Sequence, residues 1–269
     1  MEFLELNFLT YTFMQRALIG GILGGSVLSF IGLFIVLRKV VFLGAALPQF
    51  AAFGIAAAGL AHLPPLVGAL GGAIIGVSLL PLLGTRSRIP PDGVVGVGYA
   101  SASALAIIFL ALPGAHPGGA EHILAGDILG ITAADIWIVS SISLLAALVH
   151  FIFWRNFKLV SYDREMATAL GYNTRFWDGL LFLSLGIVLA AVMRITGSIV
   201  TFSYLVGPAA AGLLLSHRFK IIIPLVLIIS SAGTFIGLWV SFVFDLPGGP
   251  TVAAVVLFPL LPAALVRYL

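Results

Sequence analysis

The stretch Ala17–Leu37 reads ALIGGILGGSVLSFIGLFIVL, and none of its residues is charged. A helix rises about 1.5 Å per residue, so a run of about 20 residues crosses the roughly 30 Å hydrocarbon core of a bilayer. Basic residues flank the run, with Arg16 before it and Arg38 and Lys39 after it. The stretch therefore predicts a transmembrane helix whose ends lie near the membrane surfaces.

Comparable uncharged runs follow along the rest of the chain. They are Val40–Ala61, Leu63–Thr85, Gly93–Ala115, Ile195–Ser216, Ile221–Phe244 and Leu246–Val266, with two further candidates at Ile136–Trp154 and Phe176–Met193. We therefore predict an all-α fold, a single polytopic transmembrane helical bundle over residues 1–269. It would have about nine spans, or eight if one run is re-entrant or lies on the membrane surface.

The composition excludes a water-soluble domain. Charged residues make up 9% of the chain and hydrophobic residues 61%, whereas about 25% of a typical soluble domain is charged. The absence of cysteine excludes disulfides, thiolate metal sites and a cysteine nucleophile. The 13 Lys and Arg residues are scattered without a basic run, so the net charge of +3 does not indicate nucleic-acid binding.

The basic residues predict the orientation in the membrane. Threading nine spans leaves Arg16 and Arg194 on one side, and puts on the other Arg38, Lys39, Arg86, Arg88, Arg155, Lys158, Arg164, Arg175, Arg218, Lys220 and Arg267. The positive-inside rule makes the second side cytoplasmic. We therefore expect a multi-pass protein of the cytoplasmic membrane with its N-terminus outside and its C-terminus inside.

The chain lacks the motifs of a self-powered transporter or a membrane enzyme. No lysine follows a glycine, as a P-loop requires, and no histidine precedes a glutamate, as a zinc-binding His-Glu-x-x-His helix requires. Ion-coupled carriers keep an ionisable group at mid-membrane; here His150 and Arg194 interrupt the runs, and we expect His150 to lie at the cytoplasmic interface. A self-driven secondary carrier and an intramembrane hydrolase are the less favoured interpretations, and no catalytic residues are expected.

The cytoplasmic loop 155–175 contains a predicted short helix. Ser161 is its predicted N-cap, Asp163 and Glu165 lie in the first turn, where the helix dipole favours acids, and Gly171 is the predicted stop. The helix would be about nine residues long. Its apolar face consists of Met166, Ala169 and Leu170. Such a helix can rest on the lipid surface or dock in a groove of a soluble partner, and the spacing alone favours neither.

Several stretches of the chain, taken together, resemble the permease subunit of the ABC-3 family, the zinc, manganese and iron ABC importers. They occur in family order over nearly the whole chain. The stretches are Phe13-Met14-Gln15-Arg16-Ala17-Leu18, Val36-Leu37-Arg38-Lys39, Phe42-Leu43-Gly44, Gly126-Asp127-Ile128-Leu129, Val160-Ser161-Tyr162-Asp163, Ala169-Leu170-Gly171, Leu205-Val206-Gly207-Pro208-Ala209-Ala210 and Asp245-Leu246-Pro247-Gly248-Gly249-Pro250-Thr251.

The resemblance implies a homodimeric permease that moves a divalent metal cation by alternating access. A separate cytoplasmic ATPase dimer would use ATP and Mg²⁺ and grip the loop helix, and an extracytoplasmic binding protein would deliver the substrate. This chain would bind no cofactor of its own and no nucleic acid. The coupling residues implied are Ser161, Asp163, Glu165, Met166, Ala169, Leu170 and Gly171, and the outer-mouth candidates are Glu121, His122, Asp127 and Asp245.

The second helix departs from the family pattern. The family usually reads Gly-Asp-Ala-Leu-Ser-His there, and its Asp and His lie four residues apart on one helical face, where both can bind one cation. This chain has Gly44-Ala45-Ala46-Leu47-Pro48-Gln49 instead. Ala45 offers no ligand and Gln49 a single neutral oxygen, which binds Zn²⁺ poorly. Pro48 can free a backbone carbonyl as a further oxygen.

Three interpretations of this departure remain open at this stage. The chain could carry a divalent metal whose selectivity lies in the binding protein, with Gln49 as a weak metal ligand. It could instead carry a chelated metal or another small solute. Gln49 could also be a packing residue that forms a hydrogen bond between helices. The candidate pathway residues are Ala45, Pro48, Gln49 and Pro208.

Overall fold

The computed structural model describes residues 6–86, 90–112 and 130–268. The regular elements in these ranges are all helical, which agrees with the predicted all-α fold. After a short 3-10 helix at Leu6–Thr10, they are α1 (Thr12–Leu37), α2 (Val41–Leu60), α3 (Pro65–Arg86), α4 (Pro91–Ala111), α5 (Ala133–Ile152), α6 (Trp154–Tyr162), α7 (Arg164–Ala169), α8 (Thr174–Leu215), α9 (Phe219–Val243), α10 (Gly248–Leu257) and α11 (Leu260–Tyr268).

Seven helical segments within the described ranges are long and apolar enough to span a membrane. The expected count of nine differs slightly from this number, which takes the 42-residue helix α8 as one segment. The predicted spans Phe176–Met193 and Ile195–Ser216 fall in one 42-residue helix, α8. The run Leu63–Thr85 corresponds to the 22-residue helix α3.

Helix α8 changes direction at Gly197, where φ is 79° and ψ is 173°. Glycine adopts this positive φ without the strain that a side chain would cause. The contacts with α1 define the change of direction. Before the break, Gly20 of α1 lies against Ile195 and Gly24 against Val192, so the residue numbers rise along α1 while they fall along α8. After the break, Gly25 lies against Tyr204 and Gly32 against Leu205, so the numbers rise along both helices. The two halves, α8a (residues 174–196) and α8b (residues 198–215), therefore run in opposite directions along α1.

The helices approach closely where small residues face each other. Gly54 of α2 lies against the Gly68 carbonyl of α3, and Gly68 lies against the Gly54 carbonyl. Gly32 of α1 lies directly against the carbonyl of Leu205. In a membrane, van der Waals packing of this kind holds helices together because no hydrophobic drive separates protein from lipid.

His150 is fully buried, which corrects the expectation of an interfacial residue. Helix α6 follows α5 after a single residue and places Phe157 against the imidazole, with ring centroids 4.4 Å apart and an interplanar angle of 11°. Nδ1 of His150 lies 2.9 Å from the Ala146 carbonyl oxygen. The aromatic cover, which spacing along the chain did not reveal, excludes this side chain from the interface.

Candidate substrate pathway

A cavity of about 500 Å³ lies between α2, α4, α8b and α10; we call it the α2–α8 cavity. Its walls are Phe42, Ala45, Gln49, Tyr99, Ser198, Ile199, Phe202, Ser203 and Leu257. Ala45 and Gln49 lie one helical turn apart, so both reach the same wall. The break at Gly197 begins the opposite wall, because α8b starts with Ser198.

The Gln49 side chain is 8% exposed. Among the described residues it forms no hydrogen bond with another side chain or with the backbone. An amide that bonded one helix to another would have such a partner. Within the described residues, no hydrogen bond therefore ties the Gln49 amide to a neighbouring helix.

Pro48 and Pro208 are both buried, and neither lines the α2–α8 cavity. Pro48 has no N–H to donate to the Gly44 carbonyl one turn earlier. Pro208 lies within α8b, next to Ala209, which packs in a small cluster with Leu33. The prolines therefore contribute to helix shape beside the cavity and not to its lining.

The polar groups that line the cavity are all neutral. Besides Gln49 they are the hydroxyls of Tyr99, Ser198 and Ser203, and the Ser203 hydroxyl donates to the Ile199 carbonyl at 2.9 Å. Within residues 6–86, 90–112 and 130–268, no three His, Cys, Asp or Glu residues are grouped so that they could hold a metal ion. These walls are suited to weak, oxygen-based contacts and not to tight Zn²⁺ coordination.

Of the four outer-mouth candidates, three lie outside the described residues: Glu121, His122 and Asp127. The fourth, Asp245, is exposed in the turn between α9 and α10 and has a φ of 51°. The Ser241 hydroxyl donates to the Leu246 carbonyl across this turn at 2.7 Å. Asp245 therefore occupies a fixed turn at one end of the bundle.

The loop helix begins later than the sequence predicted. Its N-cap is Asp163, whose carboxylate accepts a hydrogen bond from the Met166 N–H at 2.9 Å. Ser161 lies in the preceding helix α6 and accepts a hydrogen bond from Arg38 Nε at 2.9 Å. The helix has six residues instead of about nine, because the preceding helix α6 extends to Tyr162.

The predicted stop at Gly171 is confirmed. Gly171 has a φ of 84°, and the N–H groups of Gly171 and Tyr172 donate to the carbonyls of Thr168 and Ala167. This is the glycine-terminated hydrogen-bond pattern that ends many helices. Helix α7 is therefore held in shape at both ends by its own residues.

Helix α7 has apolar side chains that are exposed on its surface. Met166 is 54% and Leu170 59% exposed, and Glu165 and Ala169 are exposed beside them. Ala167 is fully buried and anchors the other side of the helix. Exposed apolar side chains on a positioned helix are typical of a docking surface.

One carboxylate that the sequence analysis did not single out joins three elements. Asp178, in the first turns of α8a, accepts Arg38 Nη1 through Oδ1 and Arg164 Nη2 through Oδ2, the second at 2.9 Å. Arg38 caps the end of α1, and Arg164 begins α7. A signal was present in the sequence, because Asp178 lies inside the predicted run Phe176–Met193, where an acid requires a partner.

A second ion pair lies at the other end of α8a. Arg194 Nη2 is 2.7 Å from Asp135 Oδ1. Asp135 also closes a capping box with Thr132, whose hydroxyl donates to Asp135 Oδ2 at 2.6 Å. The sequence analysis placed Arg194 at this end of the bundle but did not pair it with Asp135.

Residues 10–267 match the family model described as the ABC 3 transport family. The chain is 30% identical over 255 residues to "Manganese transport system membrane protein MntC" of Listeria innocua, with 95% of this chain and 90% of the relative covered. It is 28% identical over 242 residues to "Manganese import system permease protein ScaB" of Streptococcus gordonii, with 90% and 87% covered.

A solved structure extends the similarity to the fold. The chain matches a chain of PsaBC from Streptococcus pneumoniae, solved in complex with Fab, with a TM-score of 0.86 and 25% identity. The match covers 97% of this chain and 94% of the other. It confirms the predicted all-α ABC permease fold. With a family model matched from residue 10 to residue 267, this chain belongs to the ABC 3 transport family.

Proposed function

We propose that this chain is the permease subunit of an ATP-driven importer and that it moves a divalent metal cation, with manganese as the first candidate and zinc and iron as others. One observation carries the proposal: positions 45 and 49, at the spacing of a two-ligand helical site, both line the α2–α8 cavity. The names of the relatives from Listeria innocua and Streptococcus gordonii favour manganese among the three metals.

The cavity also supports a dimer of this chain. Phe42, Tyr99 and Ile199 line it and are 46%, 38% and 52% exposed, so one side of the cavity is open in a single chain. Apolar side chains at such an opening are suited to a partner surface. A second copy packed there would close the cavity and place two Gln49 amides on one pathway.

The fuel would come from a separate ATPase dimer that hydrolyses ATP with Mg²⁺ and docks on α7. An extracytoplasmic binding protein would deliver the metal to the mouth, near Asp245. In this arrangement α7 lies in the cytoplasm, the N-terminus outside and the C-terminus inside. The exposed Met166 and Leu170, on a short helix that is capped at both ends, form an apolar surface for such docking.

The mechanism would be alternating access driven through α8. A movement of α7 reaches α8a through the Arg164–Asp178 ion pair. Helix α8a ends at Gly197, and four of the next six residues line the cavity. A rigid helix that is joined to α7 at one end and broken at Gly197 at the other can transmit such a movement as a rotation or a shift.

A chelated metal or another small solute is the second candidate cargo. A volume of about 500 Å³ with neutral walls exceeds the need of one dehydrated ion and lies in the range of small-molecule sites, about 300–1,000 Å³. The same walls also accept a metal that keeps some of its water ligands. The two cargoes differ in whether a chelator travels with the metal.

Uptake by the reconstituted importer, comprising permease, ATPase and binding protein, tests the proposal. We expect accumulation of Mn²⁺ inside vesicles that depends on ATP, measured against Zn²⁺, Fe²⁺ and a chelated metal under the same conditions. Flux without ATP would contradict the proposed mechanism. If the chelated metal is taken up together with its chelator and free metal is not taken up, the cargo is the chelate and not the free cation.

A further inference from the structure

A second cavity lies on the other side of α1 from the α2–α8 cavity. It holds about 370 Å³ between α1, α5 and α9, and we call it the α1–α5–α9 groove. Phe30 lines it, five residues after Gly25, which contacts Tyr204 of α8b. At 3.6 residues per turn, these two positions are separated by about 140° around the helix. The groove therefore faces away from the proposed pathway.

The walls of the groove suit hydrocarbon. Ser26 is the only polar residue that lines it within the described part of the chain, and its hydroxyl already lies 3.2 Å from the Ser231 hydroxyl. Leu144, Leu148 and Phe151 border the groove and are 71%, 52% and 80% exposed, as side chains in contact with lipid are. An acyl chain can therefore enter from the membrane and meets no polar group that requires a partner.

One end of the groove leads to basic side chains through a row of aromatic rings. Phe30 stacks on Trp154 with centroids 5.9 Å apart, and Trp154 meets Phe219 edge-on at 5.6 Å. Lys158 Nζ lies 4.8 Å from the centre of the Phe219 ring. The cation therefore lies at the end of the groove where α6 begins.

A second lysine lies beside the first. Lys220 is three residues before Ile223, which lines the groove, and so lies about one turn further along the same side of α9. Lys158 and Lys220 are both exposed, and neither has an acidic partner within 4 Å in the part of the chain that the structure describes. Helix α6 buries Phe157 and Val160 within the protein and leaves Lys158 exposed.

We propose that the α1–α5–α9 groove binds a phospholipid with an anionic headgroup. One acyl chain lies along Phe30, Ala147 and Ile223, and the headgroup phosphate meets Lys158 and Lys220. The lipid comes from the leaflet that contacts α6. Apolar walls alone would accept any lipid, whereas the two unpaired ammonium groups select for negative charge, because juxtamembrane lysines attract anionic headgroups. The proposal depends on neither the cargo nor the direction of transport.

Native mass spectrometry of the full-length protein in detergent tests the site. Phosphatidylglycerol and phosphatidylcholine with identical acyl chains are titrated separately, and bound lipid is counted. We expect a preference for phosphatidylglycerol that falls by up to about 30-fold in the double variant Lys158→Gln/Lys220→Gln. Ala147→Phe, which fills the groove, should reduce binding of both lipids.

Two substitutions serve as matched controls. Lys39→Gln removes an exposed lysine from the turn between α1 and α2, and Leu145→Phe enlarges a side chain of α5 that does not line the groove. Both should bind phosphatidylglycerol as the unmodified protein does. Equal binding of the two lipids by the unmodified protein, or a preference that survives the double lysine variant, would overturn the proposal. The double lysine variant tests the proposal even if Ala147→Phe folds poorly.

Discussion

Arg164 Nη2 lies 2.9 Å from Asp178 Oδ2, and this ion pair joins the short helix α7 to the start of α8a. The other oxygen of the same carboxylate accepts Arg38 from the end of α1. Helix α8a leads from this point to Gly197, where the wall of the α2–α8 cavity begins. The exposed helix and the cavity are therefore connected by one ion pair and one continuous helix.

We predict that Arg164→Gln weakens coupling with little effect on stability. The Arg164 side chain is 63% exposed, and an exposed ion pair contributes about 0–1 kcal/mol to folding. Loss of an element that links two sites changes their coupling by about 0.5–2 kcal/mol, so ATP-driven uptake should fall about 2- to 30-fold. Uptake per ATP hydrolysed and the melting temperature of the purified protein are the two measurements.

Arg218→Gln is the control for this prediction. Arg218 is also basic and exposed and precedes α9, but it has no acidic partner among the described residues. It should leave uptake per ATP unchanged. Equal effects of the two substitutions would mean that basic charge on this face, and not the Arg164–Asp178 pair, supports transport.

We predict that Met166→Glu combined with Leu170→Glu prevents docking of the ATPase. The two side chains are more than half exposed on α7, and a central apolar contact removed from an interface costs about 2 kcal/mol or more. Two added carboxylates would also have to be desolvated. Co-purification with the ATPase should be lost, while the melting temperature of the permease stays the same. Met166→Leu, which keeps an apolar side chain of similar size, should still co-purify; loss in that variant too would contradict the interpretation.

We predict that Gln49→Ala reduces the uptake rate about 2- to 10-fold, the effect of one hydrogen bond of about 0.5–1.5 kcal/mol. The amide is buried beside the cavity without a partner among the described residues, so its removal should cost little folding stability. Uptake with unchanged rate and metal selectivity would instead assign Gln49 to packing alone.

The reverse change is more informative about the cargo. Ala45→Asp with Gln49→His places a carboxylate and an imidazole one helical turn apart on the cavity wall, which suits one Zn²⁺ ion. We expect this double variant to retain Zn²⁺ after dialysis and to turn over more slowly with zinc than the unmodified protein. Zinc content by elemental analysis is the measurement. If the double variant retains no more zinc than Ala45→Asp alone, the side chains at positions 45 and 49 do not bind one ion together.

The sequence predicted the local features of this molecule better than the long-range ones. The charge-free run Ala17–Leu37 predicted α1, and a spacing of four placed Ala45 and Gln49 on one wall, because both depend only on helix geometry. The N-cap of α7 was wrong, since Ser161 and Asp163 are both good caps and the choice depends on where α6 ends. The partners of Asp178 lie up to 140 residues away along the chain, and no local pattern predicts such a pairing.

We predict that Gly32→Ala destabilises the bundle, whereas Gly71→Ala does not. A methyl group at Gly32 would lie 1.8 Å from the Leu205 carbonyl oxygen, which belongs to a helix backbone and cannot turn aside. Overpacking of this kind costs about 1–3 kcal/mol or more. Nothing lies within 4 Å of the corresponding position at Gly71, where the lower backbone entropy of alanine should be neutral or favourable by about 0.5–1 kcal/mol. Thermal unfolding in one detergent compares the two variants directly. A melting temperature of Gly32→Ala at or above that of Gly71→Ala would mean that α1 and α8b are not in the close contact that holds the cavity wall in place.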